Sequence, residues 1–596
     1  MTLATIDIAI IILFFSITLG IGFYVSKTSG KSSDEFFLSG RSMPWWLLGI
    51  SMVATTFSTD TPNLVTDIVR QGGVSGNWVW WIFLITGMLT VFIYAKLWRK
   101  SNVTTDIEFY EMRYGGAPAR FLRGFRALFL GLVFNVLAMA GVTLAAIKIG
   151  SVMLGLEPIW TVGLAGLVTV IFSLLGGFRG VVYTDFVLFF VAMVGSIGAA
   201  VVAINHPDVG GLTAMINHES IADKISILPD FSNRDILISL VIIPLAVQWW
   251  AAWYPGSEPG GGGYIAQRML ASKDERHAIG ATFFFNILHY ALRPWPWILV
   301  ALASLIVFPD LDSLRVAFPN VDESKIGHDL AYPAMLTFLP TGLLGLVLAA
   351  LIAAFMSTIS THLNWGASYL VNDFYKRFVK TDATEKEMVL MGRITTVLLI
   401  ILAAIVALQM TNALQIFEFI LMFGAGTGLI FLLRWYWYRI NAWSEIAAMF
   451  SSGIISFLMV FSGFYPETWD VYWRFPLIVL VTTVIWLSVT FLTQPETKET
   501  LRGFYRHIQP GGRGWKVVID AAIADGQEIV DKNAKWTLPN GILAMLAGTI
   551  LVYAILFGTG KLLFGESGLA AILYLVAFAA AFALIRLWKK VGQDIL

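Results

Sequence analysis

The stretch Val53-Ala54-Thr55-Thr56-Phe57-Ser58-Thr59-Asp60-Thr61-Pro62-Asn63 places seven polar residues and a proline inside a run, 43–70, of the length of a membrane span. Pro62 cannot donate to the carbonyl of Ser58 and its ring crowds that carbonyl, so the helix is expected to kink or unwind there. Carbonyls freed at membrane depth persist only where protein or a water-filled cavity satisfies them. A purely structural kink is the competing reading. Asp60 weighs against it, because a buried carboxylate is costly without a partner.

A second stretch answers the first. Ala353-Ala354-Phe355-Met356-Ser357-Thr358-Ile359-Ser360-Thr361 sets hydroxyls at helical spacing within the apolar run 340–375. Hydroxyl and carbonyl oxygens are hard, neutral ligands that suit Na⁺ better than a soft metal. The bland alternative is that these side chains bond back to their own helix or join helices together. A broken helix offering bare carbonyls near the midplane is how inverted-repeat transporters coordinate Na⁺.

Composition sets the frame. The 596 residues are 57% apolar and only 13% charged, with 22 Trp and 43 Phe. Soluble domains carry roughly 25% charged residues, so this chain is expected to be a polytopic α-helical membrane protein in contact with lipid. A net charge of +1 argues against nucleic acid as a partner, and the absence of cysteine excludes disulfides and thiolate chemistry. Ile6 to Val25 has the length of a true span and no basic residue before it, so it reads as a span and not as a cleaved leader.

Fifteen spans are expected: 4–25, 43–70, 77–98, 122–150, 158–176, 181–204, 233–254, 278–308, 340–375, 388–410, 412–434, 441–463, 474–495, 541–559 and 567–588. Lys96, Arg99, Lys100, Arg113, Arg120, Arg123 and Arg126 share one loop region, and Lys376, Arg377, Lys380 and Lys386 another. With the N-terminus outside, both face the cytoplasm, which the positive-inside bias supports. The expected location is the plasma or inner membrane, with the C-terminus cytoplasmic. Residues 105–114 read as a short interfacial helix. The loop 496–540 reads either as lying on the inner leaflet through Phe504, Tyr505 and Trp515 or as a solvated linker.

Further intramembrane features need partners. Asp185 closes Gly176-Gly177-Phe178-Arg179-Gly180-Val181-Val182-Tyr183-Thr184-Asp185; it either caps or solvates, or faces Ser360 and Thr361 as a cation ligand. Prolines and glycines in 253–263 forbid a continuous helix and point equally to close backbone approach to a moving element or solute and to a flexible loop. Arg293 and Glu418 are each read as solute-facing, as paired with a charge such as Asp60, or as snorkelling. Trp253 belongs to an aromatic set that serves more often in packing than in a binding box.

These breaks, in this order, resemble the sodium/solute symporter family, which includes sodium–sugar, sodium–proline and sodium–sialic acid cotransporters. The Ala354–Thr358 run, the 176–185 run, Gln267-Arg268-x-Leu270-Ala271-x-Lys273 and Phe504-Tyr505…Pro510-Gly511-Gly512-x-Gly514-Trp515 carry the resemblance. It implies an all-α fold of two inverted five-helix repeats with broken helices. Segment 1–42 would hold an extra helix and a cytoplasmic loop, 43–204 the first repeat, 205–232 an extracellular loop and 233–434 the second repeat. Residues 435–495 would add helices, 496–540 a cytoplasmic loop and 541–596 the C-terminal helices.

By the same resemblance the main sodium site uses the carbonyls of Ala54, Phe57 and Ala354 with the hydroxyls of Ser357 and Thr358. A second site, present in some members, uses Asp185, Ser357, Ser360 and Thr361, implying two Na⁺ per cycle. Ser58, Asp60, Thr61, Trp253, Arg293 and Glu418 are the candidate solute contacts. The fourth span has Asn135 where sialic acid members place a basic residue, and the third lacks the glutamate of sugar members.

The expected function is Na⁺-coupled symport of a small organic solute by alternating access, by a monomer or weak oligomer, with a lean towards a sugar or polyol. An amino acid or organic acid is the alternative solute, and a solute-gated ion channel a weaker alternative. An enzyme is not expected, since His289, His362 and the other histidines are dispersed without metal-ligand spacing. Only about eight residues follow the last span, which disfavours a sensor with a signalling domain.

Overall fold

The computed structural model describes residues 3–29, 32–251, 258–410, 422, 424–462, 465–466, 468–531 and 536–591. Among them the chain is helical, with one isolated backbone bridge and no named strand. Eleven helices among the described residues are long and apolar enough to cross a membrane. Their outward faces carry a belt of exposed apolar side chains such as Leu13, Leu167, Ile401, Leu575 and Phe578, the surface expected of helices solvated by lipid.

Helix α1 (Thr5–Ser29) precedes the interrupted pair α2 (Trp45–Thr55) and α3 (Asp60–Gly72). The span α4 is Val74–Ser101 and α5 is Gly116–Leu154. α6 (Pro158–Ile204) is two spans joined at Gly177, whose φ of 52° and ψ of −159° turn the chain sharply. The boundary expected between the fifth and sixth spans falls at this kink.

A second interruption follows. Residues 234–246 form α7 in short pieces that include a π-turn, Ile238–Ile242, and the chain resumes as α8 (Gly263–Ala271). The continuous span 233–254 is thus not seen as such in its described part. Helix α9 is Glu275–Val307, α10 is Leu343–Val379 and α11 is Glu385–Gln409. Of the eleventh expected span, residues 412–421 and 423 lie outside the described residues, and its later part is α12 (Gly428–Tyr436). Beyond it come α13 (Ala442–Phe461), α14 (Arg474–Leu492), α15 (Lys498–Ile508), α16 (Leu538–Leu563) and α17 (Ser567–Val591).

The two interrupted segments meet. The chain entering α2 pairs with the chain leaving α8: Met43 N–H donates to the Ala271 carbonyl at 3.2 Å, and Lys273 N–H to the Met43 carbonyl at 3.1 Å. The glycines before α8 are there for close approach. Gly260 and Gly261 have φ of 81° and 94°, and Gly260 lies against the Tyr94 ring while its carbonyl accepts Trp98 Nε1–H at 2.8 Å. A side chain at either position has no room and the wrong backbone. Gly260 and Gly261 thus approach the side chains of Tyr94 and Trp98 closely. Glu258, just before them, pairs with Arg126 of α5 and lies 3.7 Å from Arg434 of α12.

The segment 105–114 differs from its expected interfacial setting. Its helix, Phe109–Arg113, is short and buried. Arg113 donates to the carbonyls of Arg434 and Ile440 at 2.8 and 3.1 Å, and its guanidinium stands 5.2 Å from the Phe504 ring and 5.0 Å from the Trp515 ring. Phe504, Tyr505 and Trp515 accordingly turn into the protein, neither on a leaflet nor on a free linker. A guanidinium facing spare carbonyls and aromatic rings offers these side chains more than lipid headgroups do.

Helices α5 and α10 cross through small residues. A Cβ on Gly366 would lie 2.1 Å from Asn135 Nδ2 and 2.8 Å from the Gly131 carbonyl. Asn135 Nδ2–H donates to the His362 carbonyl at 2.8 Å across the same crossing. Close backbone approach through small residues is a main source of helix association in lipid. Gly366→Ala is expected to cost about 1–3 kcal/mol by overpacking, read as a lowered unfolding midpoint of the detergent-purified protein.

Candidate functional site

The break between α2 and α3 occupies Thr56 to Thr59. Helical geometry resumes at Asp60, so Pro62 sits in the first turn of α3, where its missing N–H costs no intrahelical bond. Asp60 stands in that same turn, where a carboxylate is favoured by the helix dipole. The interruption includes Ser58, the residue whose carbonyl the proline ring would crowd in a continuous helix. Local bonds hold it: Phe57 N–H donates to the Ala54 carbonyl at 3.1 Å, Thr61 N–H to the Ser58 carbonyl at 3.3 Å, and Ser58 N–H to Thr61 Oγ1 at 3.3 Å.

Helix α10 packs its hydroxyls against this break. Thr358 Oγ1–H donates to the Thr55 carbonyl at 2.9 Å, placing the hydroxyl helix against the last turn of α2. Ala54, Phe57, Ala354, Ser357 and Thr358 are all about 2% exposed. Ser357 Oγ–H donates to Asp185 Oδ1 at 2.5 Å, and Ser51 Oγ–H to Asp185 Oδ2 at 2.5 Å. Ser360 instead bonds back to the Ser357 carbonyl at 3.1 Å, which is the bland role. Thr361 Oγ1 lies 3.1 Å from Thr55 Oγ1. The buried Arg268 of α8 reaches the same cluster, with Nη2 2.9 Å from Thr361 Oγ1, 2.8 Å from Thr55 Oγ1 and 3.5 Å from Asp185 Oδ2.

Beside the break lies a cavity whose empty space, counting its solvent-open part, is about 690 Å³. Its lining includes Ser58, Asp60, Thr61, Arg293 and Thr358, together with Trp80, Tyr264 and His289. Arg293, 3% exposed, does not snorkel. Its Nη1–H donates to Thr56 Oγ1 at 2.9 Å and to the Val53 carbonyl at 3.3 Å, and its guanidinium is 5.5 Å from the Trp297 ring. His289 Nδ1 is 3.1 Å from Thr56 Oγ1, so one hydroxyl meets both side chains. Trp80 stacks on Tyr290 at 5.9 Å and presents an aromatic wall.

The structure thus brings together Ser58, Asp60, Thr61 and Arg293 in one cavity that also reaches Thr358. Trp253 and Glu418 lie outside the described residues. Sequence reasoning missed Trp80 and Tyr264 in the cavity wall, and passed over His289 as dispersed although it stands one helical turn before Arg293. Arg268 was legible only as part of a family run; nothing local in the sequence pairs it with Asp185.

The comparisons with known proteins agree with this architecture. The model of the sodium:solute symporter family matches residues 36–452. A sodium/glucose cotransporter of Vibrio parahaemolyticus is 26% identical over 76% of this chain and 84% of its own length. Sodium/myo-inositol cotransporter 2 of Homo sapiens is 24% identical, over 84% of this chain and 79% of its own. A solved Na⁺-coupled sialic acid symporter, substrate-bound and outward-open, superposes with a TM-score of 0.64 at 19% identity, covering 83% of this chain and 99% of that one. The chain belongs to the sodium:solute symporter family. It is a membrane transporter and not an enzyme, and Na⁺ is the ion to which it couples solute movement.

Asp185 and Arg268 are both 0% exposed. Removing one partner of a buried ion pair leaves the other uncompensated and costs about 3–5 kcal/mol. Asp185→Asn is therefore expected to lower the unfolding midpoint in Na⁺-free buffer far more than Asp67→Asn at the partly exposed face of α3.

Proposed function

We propose that the protein takes up a sugar or polyol with Na⁺ by alternating access, using the cavity beside the α2–α3 break for the solute. The observation that carries this reading is the contact of Thr358 Oγ1 with the Thr55 carbonyl at 2.9 Å, on the wall of that cavity. It puts hydroxyl and main-chain oxygens of two helices side by side, the hard neutral donors Na⁺ needs. Ala54, Phe57 and Ala354 would supply carbonyls and Ser357 and Thr358 hydroxyls to the ion. Na⁺ would then clamp α2 to α10 and order the adjoining solute contacts, and the coupling must be reciprocal. Separation of the two helices on inward rocking would loosen both.

The relatives' names support the solute class, since they are cotransporters of glucose, myo-inositol and mannose. The chemistry of the wall fits: Trp80 offers a flat face to a ring, while Ser58, Asp60, Thr61, His289 and Arg293 offer donors and acceptors to hydroxyls. One observation favours an amino acid or organic acid instead, namely the buried guanidinium of Arg293 in that wall. We further propose two inverted five-helix repeats, 43–204 and 233–434, an outside N-terminus, a cytoplasmic C-terminus and a plasma-membrane location for a monomer or weak oligomer. The interruption at 56–59 in one half, and the non-α-helical described residues 247–251 and 258–262 between α7 and α8 in the other, support the repeats.

The purified protein in liposomes with an inward Na⁺ gradient, offered labelled sugars, polyols, amino acids and organic acids, is expected to accumulate a sugar or polyol and to lose that uptake when K⁺ replaces Na⁺. Accumulation confined to carboxylate solutes would transfer the assignment to the second class. Thr358→Ala is expected to raise the half-saturating Na⁺ concentration about tenfold, the equivalent of ~1.4 kcal/mol, with an unchanged yield of folded protein. An unaltered Na⁺ curve removes Thr358 from the ion site.

A further inference from the structure

Two of the four residues that the family resemblance groups as a second sodium site, Asp185 and Thr361, already face a cation carried by the chain itself, and a third, Ser357, bonds the same carboxylate. Arg268 Nε–H donates to Ser51 Oγ at 3.0 Å, and Nη2–H reaches Thr55 Oγ1 at 2.8 Å and Thr361 Oγ1 at 2.9 Å. Nη2 also lies 3.5 Å from Asp185 Oδ2, while Ser357 and Ser51 each donate to the same carboxylate. The rings of Phe178 and Tyr264 stand 5.4 and 5.9 Å from the guanidinium carbon. Both charges are fully buried, so each depends on the other for compensation.

A Na⁺ ion bound to Asp185, Ser357 and Thr361 would share one carboxylate with this guanidinium at van der Waals range. In a dry interior two like charges around a single countercharge repel strongly. Burial of both is unfavourable, whereas exchange of one for the other conserves charge. We propose that Arg268 is a tethered cation filling the second alkali-ion site, so that the protein binds a single Na⁺, at the main site, and a second Na⁺ enters only where the guanidinium is removed. The proposal rests on the symport reading above and assigns its stoichiometry.

The tether has a second consequence. Arg268 lies one helical turn after Tyr264 on α8, and its Nη1–H donates to the Tyr264 carbonyl at 3.3 Å. Tyr264 lines the solute cavity. Through one side chain, therefore, α8 is fastened to Ser51 and Thr55 of α2, to Asp185 of α6 and to Thr361 of α10, and the fastening holds Tyr264 in the cavity wall. Gly260 and Gly261 before the helix, with φ of 81° and 94°, and its first residue Gly263, with φ of 51°, set the angle at which the chain enters it.

The test is the number of Na⁺ bound by the purified full-length protein in detergent, measured by equilibrium binding of radioactive Na⁺. The wild type is expected to saturate at one ion per chain, Arg268→Gln at two, and the double variant Arg268→Gln/Asp185→Asn at one again. Arg268→Lys, which retains a tethered charge, is expected to stay at one. Na⁺ should also raise the unfolding midpoint of Arg268→Gln more than that of the wild type, because the ion replaces the missing countercharge. Two ions on the wild type overturn the proposal, whether or not the variant folds, and so does a folded Arg268→Gln that still binds one. Failure of the wild type to bind any Na⁺ strikes the symport reading itself, a result distinct from either.

Discussion

An interrupted helix deep in an apolar body leaves main-chain carbonyls without their N–H partners, and the molecule is arranged around meeting that demand. Thr55 is the pivot. Its carbonyl accepts the Thr358 hydroxyl of α10, and its own hydroxyl accepts Arg268 of α8 and lies beside Thr361. Two helices from distant parts of the chain are thereby held at one turn of α2. Because every buried polar group there needs a partner, a movement of any one helix changes the satisfaction of the others. That is the physical basis on which ion occupancy and solute occupancy can be linked.

The surrounding architecture keeps this polar island from becoming a liability. Small residues at the α5–α10 crossing bring Asn135 onto the His362 carbonyl and carry α10 close enough for its hydroxyls to reach the break. The buried arginines serve carbonyls, carboxylates and ring faces: Arg113 on carbonyls at and just beyond the end of α12, Arg434 above Phe109, Arg268 on Asp185. Each guanidinium thus gathers elements that would otherwise have no specific reason to sit together. Arginine suits this work because its planar fork serves several acceptors at once and tolerates partial desolvation better than an ammonium.

Much of this was readable in advance where the signal was local. Proline and hydroxyls inside an apolar run announced the broken helix, and the spacing of Ser357, Thr358 and Thr361 announced a polar face on α10. Glycines at 176–177 marked the boundary that became the kink at Gly177. The readings that changed were those in which a local pattern had two outlets. Phe504 and Trp515 have the composition of an interfacial anchor, but Arg113, nearly four hundred positions away, draws them inward. Ser360 has the same chemistry as its neighbours, yet its hydroxyl turns to its own helix.

The amino-acid sequence by itself determined the class: a helical membrane protein with interrupted spans, hard oxygen donors at the interruption and no soft-metal chemistry. Those follow from hydrophobic length, from the backbone chemistry of proline and glycine, and from side-chain type, all properties of neighbouring residues. Only the tertiary structure decided which donors face one another. Asp185 meets Ser357 and Arg268 because α6, α8 and α10 converge on α2, and His289 joins Arg293 because both turn to Thr56. Such pairings depend on how helices pack across hundreds of residues, and a buried charge takes its meaning from the partner that packing brings to it.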